Sequence, residues 1–506
     1  MIARNVTANA LGMVVTIAVQ IGMSFGAYRL AGAEQYGLIG FYSTAMTAAA
    51  IFDIGLGQAV VREAARRRSL DRSDPSGVRP VVFNFLLLYL ALAAVIAVGV
   101  AAASPLIARY WLHPDKLSVL EVERALMLMG VAIAVQRVRG VFQSALDGIE
   151  RQVVTNSLLI VTNLLRLVLG LGALFLWPSA LAFFAGQALA SLVETAAFAV
   201  ASGRLLPPSD HPARFNPALI VEAGRFALVN AAGAAVGTGV QIADSLVISA
   251  ALPLSVFGNY SLVSSMCTVM LRLTAPILNA AYPRTAAYVR EERLAELKKL
   301  FLGYSEASSA ILATAAFALI FFAGPLITLV SGKPQVGADF APVLATLSAA
   351  YVLNGVARSP HLMQMAEGRP GIALKINLAL GAIYLPAIIW FTPRYGVMAP
   401  AVCLVAGNGL ALTAFILTGF RRRLAGLTAE WLRASVAPQF IAAAVVLMLT
   451  RLGADAIGLK NTLILTGVAV VASGLALAVG LIAGPQLRFE VIRRLKPSAP
   501  VPSPNG

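Results

Sequence analysis

Five arginines and no lysine fall inside stretches apolar enough to cross a membrane: Arg137, Arg139, Arg166, Arg272 and Arg358. A guanidinium presents its donors as a planar fork, which grips a phosphate or carboxylate through two bonds at once; an ammonium offers only a point charge. Held at mid-membrane, such a charge costs a few kcal/mol or more and normally faces a bundle interior or a watery cavity. The neighbouring polar residues keep helical spacing. Gln136, Arg139, Gln143 and Asp147 fall at i, i+3, i+7 and i+11, on one helix face. Asn354, Arg358, His361 and Met365 form a matching stripe, with Gln364 beside it. Asn156, Asn163 and Arg166 form another, with Asn377 and Tyr384 at the corresponding places of a later span. Asn9, Thr16, Gln20 and Ser24 are echoed by Asn230, Gln241, Asp244 and Ser245. One wet face per helix predicts a polar, arginine-bearing cavity between two halves of the molecule.

Other roles remain open for the same side chains. Asn9, Asn230, Gln20 and Gln241 could tie helices together through hydrogen bonds worth up to about 1–2 kcal/mol each. The arginines could be consumed in internal ion pairs, Arg137 with Asp147 or Glu194 and Arg166 with Asp53. His361 could titrate near neutral pH or serve as a hydrogen-bonded cavity residue. Asp53, Glu194, Asp244 and Glu306 are candidate cation or proton sites. Nothing points to an enzyme. The chain has no Walker motif, no His/Asp/Glu cluster with metal spacing, and no nucleophile with a partnered base. Neither a cofactor nor a metal is expected. Cys267 and Cys403 each lie within a span and form no disulfide framework.

The elements that must position these groups are helices. Only 12% of the 506 residues are charged and 59% are hydrophobic, with a mean hydropathy of +0.81; a soluble domain carries roughly twice that charge. Apolar runs long enough for a helical crossing recur along the whole chain, without the alternation of a β-barrel. The fold class is therefore an all-α polytopic membrane protein of about 14 transmembrane helices. Spans are expected at 9–31, 37–61, 80–103, 124–147, 153–177, 179–202, 225–251, 255–282, 304–331, 342–366, 372–393, 396–420, 437–452 and 462–484. The net charge of +16 resides in short loops, a topology signal and not a nucleic-acid surface. Of the 39 Lys and Arg, 26 fall on the side that holds both termini and 8 on the other, which places both termini in the cytoplasm. Arg4, an apolar run and Ala31-Gly32-Ala33 could pass for a cleaved signal, but the same pattern recurs internally, so a retained first helix is expected.

That recurrence is a duplication. Residues 4–24 and 225–245 share nine identities in twenty-one positions: Arg4, Asn9, Ala10, Gly12, Val15, Val19, Gln20, Ile21 and Ser24 return 221 residues later. The same offset carries Gly37, Ser43, Thr47, Ala59 and Ala65 onto Gly258, Ser264, Thr268, Ala280 and Ala286. Two pseudo-symmetric six-helix lobes follow, 1–202 and 225–420, related by an axis along the membrane normal. They are joined by a proline-rich cytoplasmic linker, 203–224. Accessory helices occupy 421–484 and a cytoplasmic tail 485–506. An interfacial helix is expected within 104–123, and a basic surface helix over 286–303.

Several local motifs carry a family resemblance over residues 1–420. They are Arg4-Asn5 with Asn9-Ala10 and Gly12, Tyr36-Gly37, and Phe52-Asp53-Ile54-Gly55-Leu56-Gly57 ahead of Arg62-Glu63. Ala145-Leu146-Asp147-Gly148-Ile149-Glu150-Arg151 completes the first half. The second half adds Asp244, Phe257-Gly258-Asn259-Tyr260, Pro283-Arg284 and Ala366-Glu367-Gly368-Arg369. In these the chain resembles the multidrug/oligosaccharidyl-lipid/polysaccharide exporter superfamily, in its polysaccharide (O-antigen type) flippase branch. The resemblance implies two six-helix lobes with alternating access. It also implies translocation of an undecaprenyl-pyrophosphate-linked oligosaccharide across the bacterial inner membrane for polysaccharide or lipopolysaccharide biosynthesis. Partners would be that lipid-linked substrate, the bilayer and polysaccharide-assembly proteins, with no nucleic acid. Arg139, Arg166, Arg272 and Arg358 would meet the pyrophosphate, and amide side chains the sugar hydroxyls. Asp53, Asp147, Glu194 and Asp244 would couple an ion or hold those arginines. The chain departs from the pattern after 420: the O-antigen type usually has twelve spans, whereas lipid II flippases have fourteen. A lipid II flippase and a drug/cation antiporter are the alternatives. A non-transporting scaffold or polymerase would want a large catalytic outer loop that this sequence lacks.

Overall fold

The computed structural model describes residues 2–67, 77–209, 213–420 and 426–486. Among them the chain is helical, with a single isolated bridge between His113 and Pro253. The helices run α1 (Ile2–Arg67), α2 (Val78–Leu106), α3 (Val119–Gly148), α4 (Gln152–Leu176), α5 (Ala180–Leu205), α6 (Pro217–Ala251) and α7 (Leu254–Arg290). They continue as α8 (Leu294–Phe321), α9 (Ala323–Ser331), α10 (Pro334–Ala366), α11 (Pro370–Tyr395), α12 (Met398–Gly419), α13 (Leu427–Trp431), α14 (Ala437–Ala456) and α15 (Thr462–Ala483).

Every expected span overlaps these helices, the one at 304–331 being divided between α8 and α9 at Phe322, but the count of fourteen is not reproduced. Eleven helices among the described residues are long and apolar enough to cross a membrane, or twelve with a bent pair in α1. Two causes account for the difference. α1 runs through both of the first two expected spans; its backbone leaves the helical region at Gly32, with φ 81° and ψ 173°, and it bends by 48° between Ile51 and Gly55. The described apolar part of α6, Ala235–Ala251, is short.

Helix ends follow local chemistry. Ser118 and Glu121 form a reciprocal capping box at the start of α3. Asn216 caps α6, with Pro217 at the first helical position, where its missing N–H costs nothing. Gly332, with φ 69°, supplies the left-handed residue that ends α9. The expected interfacial helix in 104–123 is instead a five-residue π turn, Ile107–Trp111, that extends α2, followed by irregular chain. The expected basic surface helix over 286–303 is not a separate element. α7 continues to Arg290, Glu292 turns the chain at φ 57°, and α8 starts at Leu294. The basic residues therefore decorate two membrane-helix ends.

The chain divides into two compact units, residues 1–262 with 385–400, and residues 263–384 with 401–506. In the first, α3 packs on α2 and α5, α4 on α5, and α1 on α3, α4 and α6. Phe85, Tyr89, Val60, Val81 and Val141 fill one buried cluster of that unit. In the second, α8 is central: α10, α14, α15 and α9 surround or adjoin it. Phe301 meets Phe420, Tyr304 and Trp431 at ring separations of 5.4, 5.4 and 6.1 Å; each such pair adds about 0.5–1.5 kcal/mol beyond the area it buries. The accessory helices dock on α8, where fully buried Glu306 accepts the Gln486 N–H through both carboxylate oxygens, at 3.1 and 3.3 Å.

Candidate functional site

Two polar clusters arise, one in each unit. In the first unit, three helices each contribute a stripe: Arg139 and Gln143 on α3, Thr162 and Arg166 on α4, and Gln187, Ser191 and Glu194 on α5. Glu194, only 3% exposed, is the hub. Arg166 donates to it at 2.5 Å, Thr162 at 3.2 Å, and Arg139 lies 3.5 Å away. Arg166 also reaches Gln187 at 3.1 Å and Ser191 at 3.3 Å. Arg139 donates to Gln143 at 2.6 Å and stands 5.5 Å from the centre of the Phe198 ring. Asp147, one turn beyond Gln143, is faced by the Thr155 hydroxyl and the Gln143 amide. Asn163 donates to Thr16 on α1 at 3.4 Å.

Arg166, matched in sequence with Asp53, whose side chain lies outside the described residues, is held by Glu194, which also lies 3.5 Å from Arg139. The reason is helix adjacency: α4 and α5 pack directly, and residues 166 and 194 face each other across that contact. The side chains of Asn9, Asp53 and Asn230 lie outside the described residues.

The second cluster differs in charge balance. Arg358 on α10 donates to the Leu271 carbonyl of α7 at 3.3 Å. Arg272, the next residue of α7, is exposed. Among the described residues neither arginine has a carboxylate partner; the only hydrogen bond found for either is the one from Arg358 to a backbone carbonyl. Asn354 donates to Asn408 of α12 at 3.5 Å, and Asn408 in turn to the Ala350 carbonyl at 2.9 Å. His361 lies 5.2 Å from the ring of Phe415, and its buried Nδ1 meets no hydrogen-bond partner among the described residues. Gln364 donates to Thr418 at 2.6 Å.

Asp244 is buried on α6, accepting the Tyr260 hydroxyl at 2.5 Å and the Ser245 N–H at 2.8 Å. Gln20 is half-buried with its Oε1 unmet, and Gln241 is exposed. Sequence reasoning passed over Thr162, Gln187, Ser191 and Asn408, and named Tyr260 only within a family motif. Gln187, Ser191 and Glu194 recur at i, i+4 and i+7, the signal that would have exposed the α5 stripe. Among the described residues no cluster of His, Cys, Asp or Glu could hold a metal.

Residues 2–289 match the model of a family described as polysaccharide biosynthesis protein. No curated protein matches the chain. Solved structures match it as folds. The lipid II flippase MurJ, in an inward closed conformation, is 10% identical with a TM-score of 0.71, over 97% of this chain and 100% of that one. An inward-facing multidrug resistance MATE transporter of the MOP superfamily is 16% identical with a TM-score of 0.64, over 84% and 100%. A MOP-superfamily transporter from Pyrococcus furiosus, described by the reverse polarity of its binding pocket, is 16% identical with a TM-score of 0.57, over 83% and 95%. With arginine-bearing helices of membrane length, a fold shared with MOP-superfamily transporters, and a family match over more than half its length, the chain belongs to the polysaccharide biosynthesis protein family.

Proposed function

We propose that the chain is a flippase that carries an undecaprenyl-pyrophosphate-linked oligosaccharide across the bacterial inner membrane by alternating access, supplying O-antigen-type polysaccharide synthesis. The observation that carries this reading is Arg358 on α10, which donates to the Leu271 carbonyl of α7 beside the exposed Arg272, with no carboxylate partner for either arginine among the described residues. A charge left without a partner in an apolar bundle costs several kcal/mol, and a bound anion with two phosphates would offset that cost. Asn354, Asn408 and His361 nearby offer donors and acceptors for sugar hydroxyls.

Arg139 and Arg166, held by Glu194, are the first unit's own groups for pyrophosphate contact, and the amides of Gln143, Asn163, Gln20, Gln241, Asn9 and Asn230 serve the glycan hydroxyls. Asp53, Asp147, Glu194 and Asp244 couple transport or hold the arginines. The working units are the repeats 1–202 and 225–420, with both termini in the cytoplasm. Polysaccharide-assembly proteins take the product on the outer face. Arg358→Ala, inserted at the wild-type level, is expected to leave a flippase-deletion strain without surface polysaccharide. Full restoration would remove Arg358 from the site.

A further inference from the structure

α5 carries a second face, distinct from the one that holds Glu194. Val193, Ala196, Ala197, Val200, Ala201 and Arg204 recur at i, i+3, i+4, i+7, i+8 and i+11, so they form one stripe along the helix. Three alanines keep that stripe shallow, and Leu158 of α4 stands beside it as a wall. The result is a groove of about 560 Å³ against α4 and α5, within the range of roughly 300–1,000 Å³ that holds small molecules. Val193 and Val200 are exposed on it, and every lining side chain is apolar except Arg204. α5 is among the helices long and apolar enough to cross a membrane, so this face meets acyl chains and not water.

Charge sits at one end of the groove only. Arg204 is exposed in the last turn of α5, and among the described residues no carboxylate pairs with it. A helix C-terminus carries partial negative charge, which by itself would repel an anion. Arg79 of α2 counters that effect: its guanidinium donates to the Gly203, Leu206 and Pro207 carbonyls at 2.9, 3.3 and 3.0 Å. Two arginines therefore stand at this helix end, one engaged by the backbone and one facing outward. From Val193 to Arg204 the helix rises about 16 Å. That is about the depth of one leaflet in a hydrocarbon core roughly 30 Å thick. A cation followed by an apolar trough one leaflet long complements a lipid with an anionic headgroup.

We infer that this groove binds one acidic phospholipid from the leaflet on the side of the basic loops: an acyl chain lies over Ala196, Ala197 and Ala201, and the headgroup phosphate meets Arg204. Basic residues at a helix end attract anionic headgroups in that leaflet. The site uses none of the arginines assigned to cargo. Its test titrates the full chain, purified in detergent, with dioleoyl phosphatidylglycerol and with dioleoyl phosphatidylcholine, and counts retained lipid by native mass spectrometry. One phosphatidylglycerol should be held roughly tenfold more tightly than phosphatidylcholine. Arg204→Ala should erase that preference, and Arg204→Lys should keep most of it, because an ammonium still binds phosphate as a point charge. Ala197→Phe fills the trough and should abolish retention of both lipids. Arg204 is exposed, so its variants keep the fold and decide the matter should Ala197→Phe not fold. Equal retention of the two lipids by the wild type, or a preference that survives Arg204→Ala, overturns the site. Undecaprenyl phosphate that displaces phosphatidylglycerol from the wild type would assign the trough to a polyprenyl tail and overturn it equally. None of these readouts uses export, so a failed transport reading leaves them unchanged.

Discussion

Glu194 on α5 faces Arg166 on α4 at 2.5 Å, and the same carboxylate lies 3.5 Å from Arg139 on α3. One acid thus binds three helices together through two bases. Removing it would leave both guanidinium groups buried without their counter-charge, which costs about 3–5 kcal/mol when a buried pair is broken. Glu194→Gln should therefore lower the thermal midpoint of the detergent-purified protein sharply. In a double-mutant cycle, adding Arg166→Gln should cost less than it does alone. Additive effects would show that the contact carries no coupling.

In the second unit the expectation is reversed. Among the described residues Arg358 hydrogen-bonds only to a backbone carbonyl and Arg272 is exposed with no carboxylate partner, so neither holds the fold through a counter-charge there. Arg272→Ala should leave the melting midpoint within a degree or two of wild type while abolishing surface polysaccharide. Arg358→Lys keeps the charge but loses the planar fork. It should recover less than about a tenth of export, and substantial recovery would indicate simple charge attraction.

The linker between the repeats gives a structural test. Arg79 donates to the Pro207 carbonyl at 3.0 Å and the Gly203 carbonyl at 2.9 Å, while Asn84 donates to the Arg214 carbonyl at 2.9 Å and accepts the Asn216 N–H at 2.7 Å. Both ends of this proline-rich linker are stapled to α2. Asn84→Ala leaves a carbonyl and an N–H without their partner, a loss of about 1–3 kcal/mol. Trypsin should then cut after Arg204 and Arg214 roughly ten times faster, because cleavage tracks the open population. Unchanged cutting would mean the staples contribute nothing to order.

Apolar length made the helices legible in the sequence, and the fixed offset exposed Gly37 and Gly258 as equivalents. Pairing was less legible. Helical spacing locates Arg166 on a face but does not say which neighbouring helix that face meets. The sequence matched Arg166 with Asp53 and offered Glu194 to Arg137, whereas α4 packed on α5 brings Glu194 to Arg166. Asp244 illustrates the same limit: as a lone intramembrane acid it suggests an ion site, whereas Tyr260, sixteen residues on, already donates to it at 2.5 Å. The break at Gly32 was hidden for another reason, since a glycine amid good helix formers is compatible with either a continuous helix or a kink.

The accessory helices supply the last test. Their role after residue 420 could not be derived from the repeat, because they lie outside it. The structure docks α14 and α15 on α8, with Ser435 donating to the Leu302 carbonyl at 3.2 Å and Glu306 accepting Gln486. Gln439 is fully buried, within reach of Gly484 at the end of α15. Because these contacts involve neither arginine cluster, they should stabilise the second unit without touching cargo. Glu306→Ala should cost about 1–3 kcal/mol by leaving the Gln486 N–H unmet. At a temperature where the variant remains folded, export per inserted molecule should stay at the wild-type level. A drop in export without loss of stability would instead make Glu306 part of the transport path.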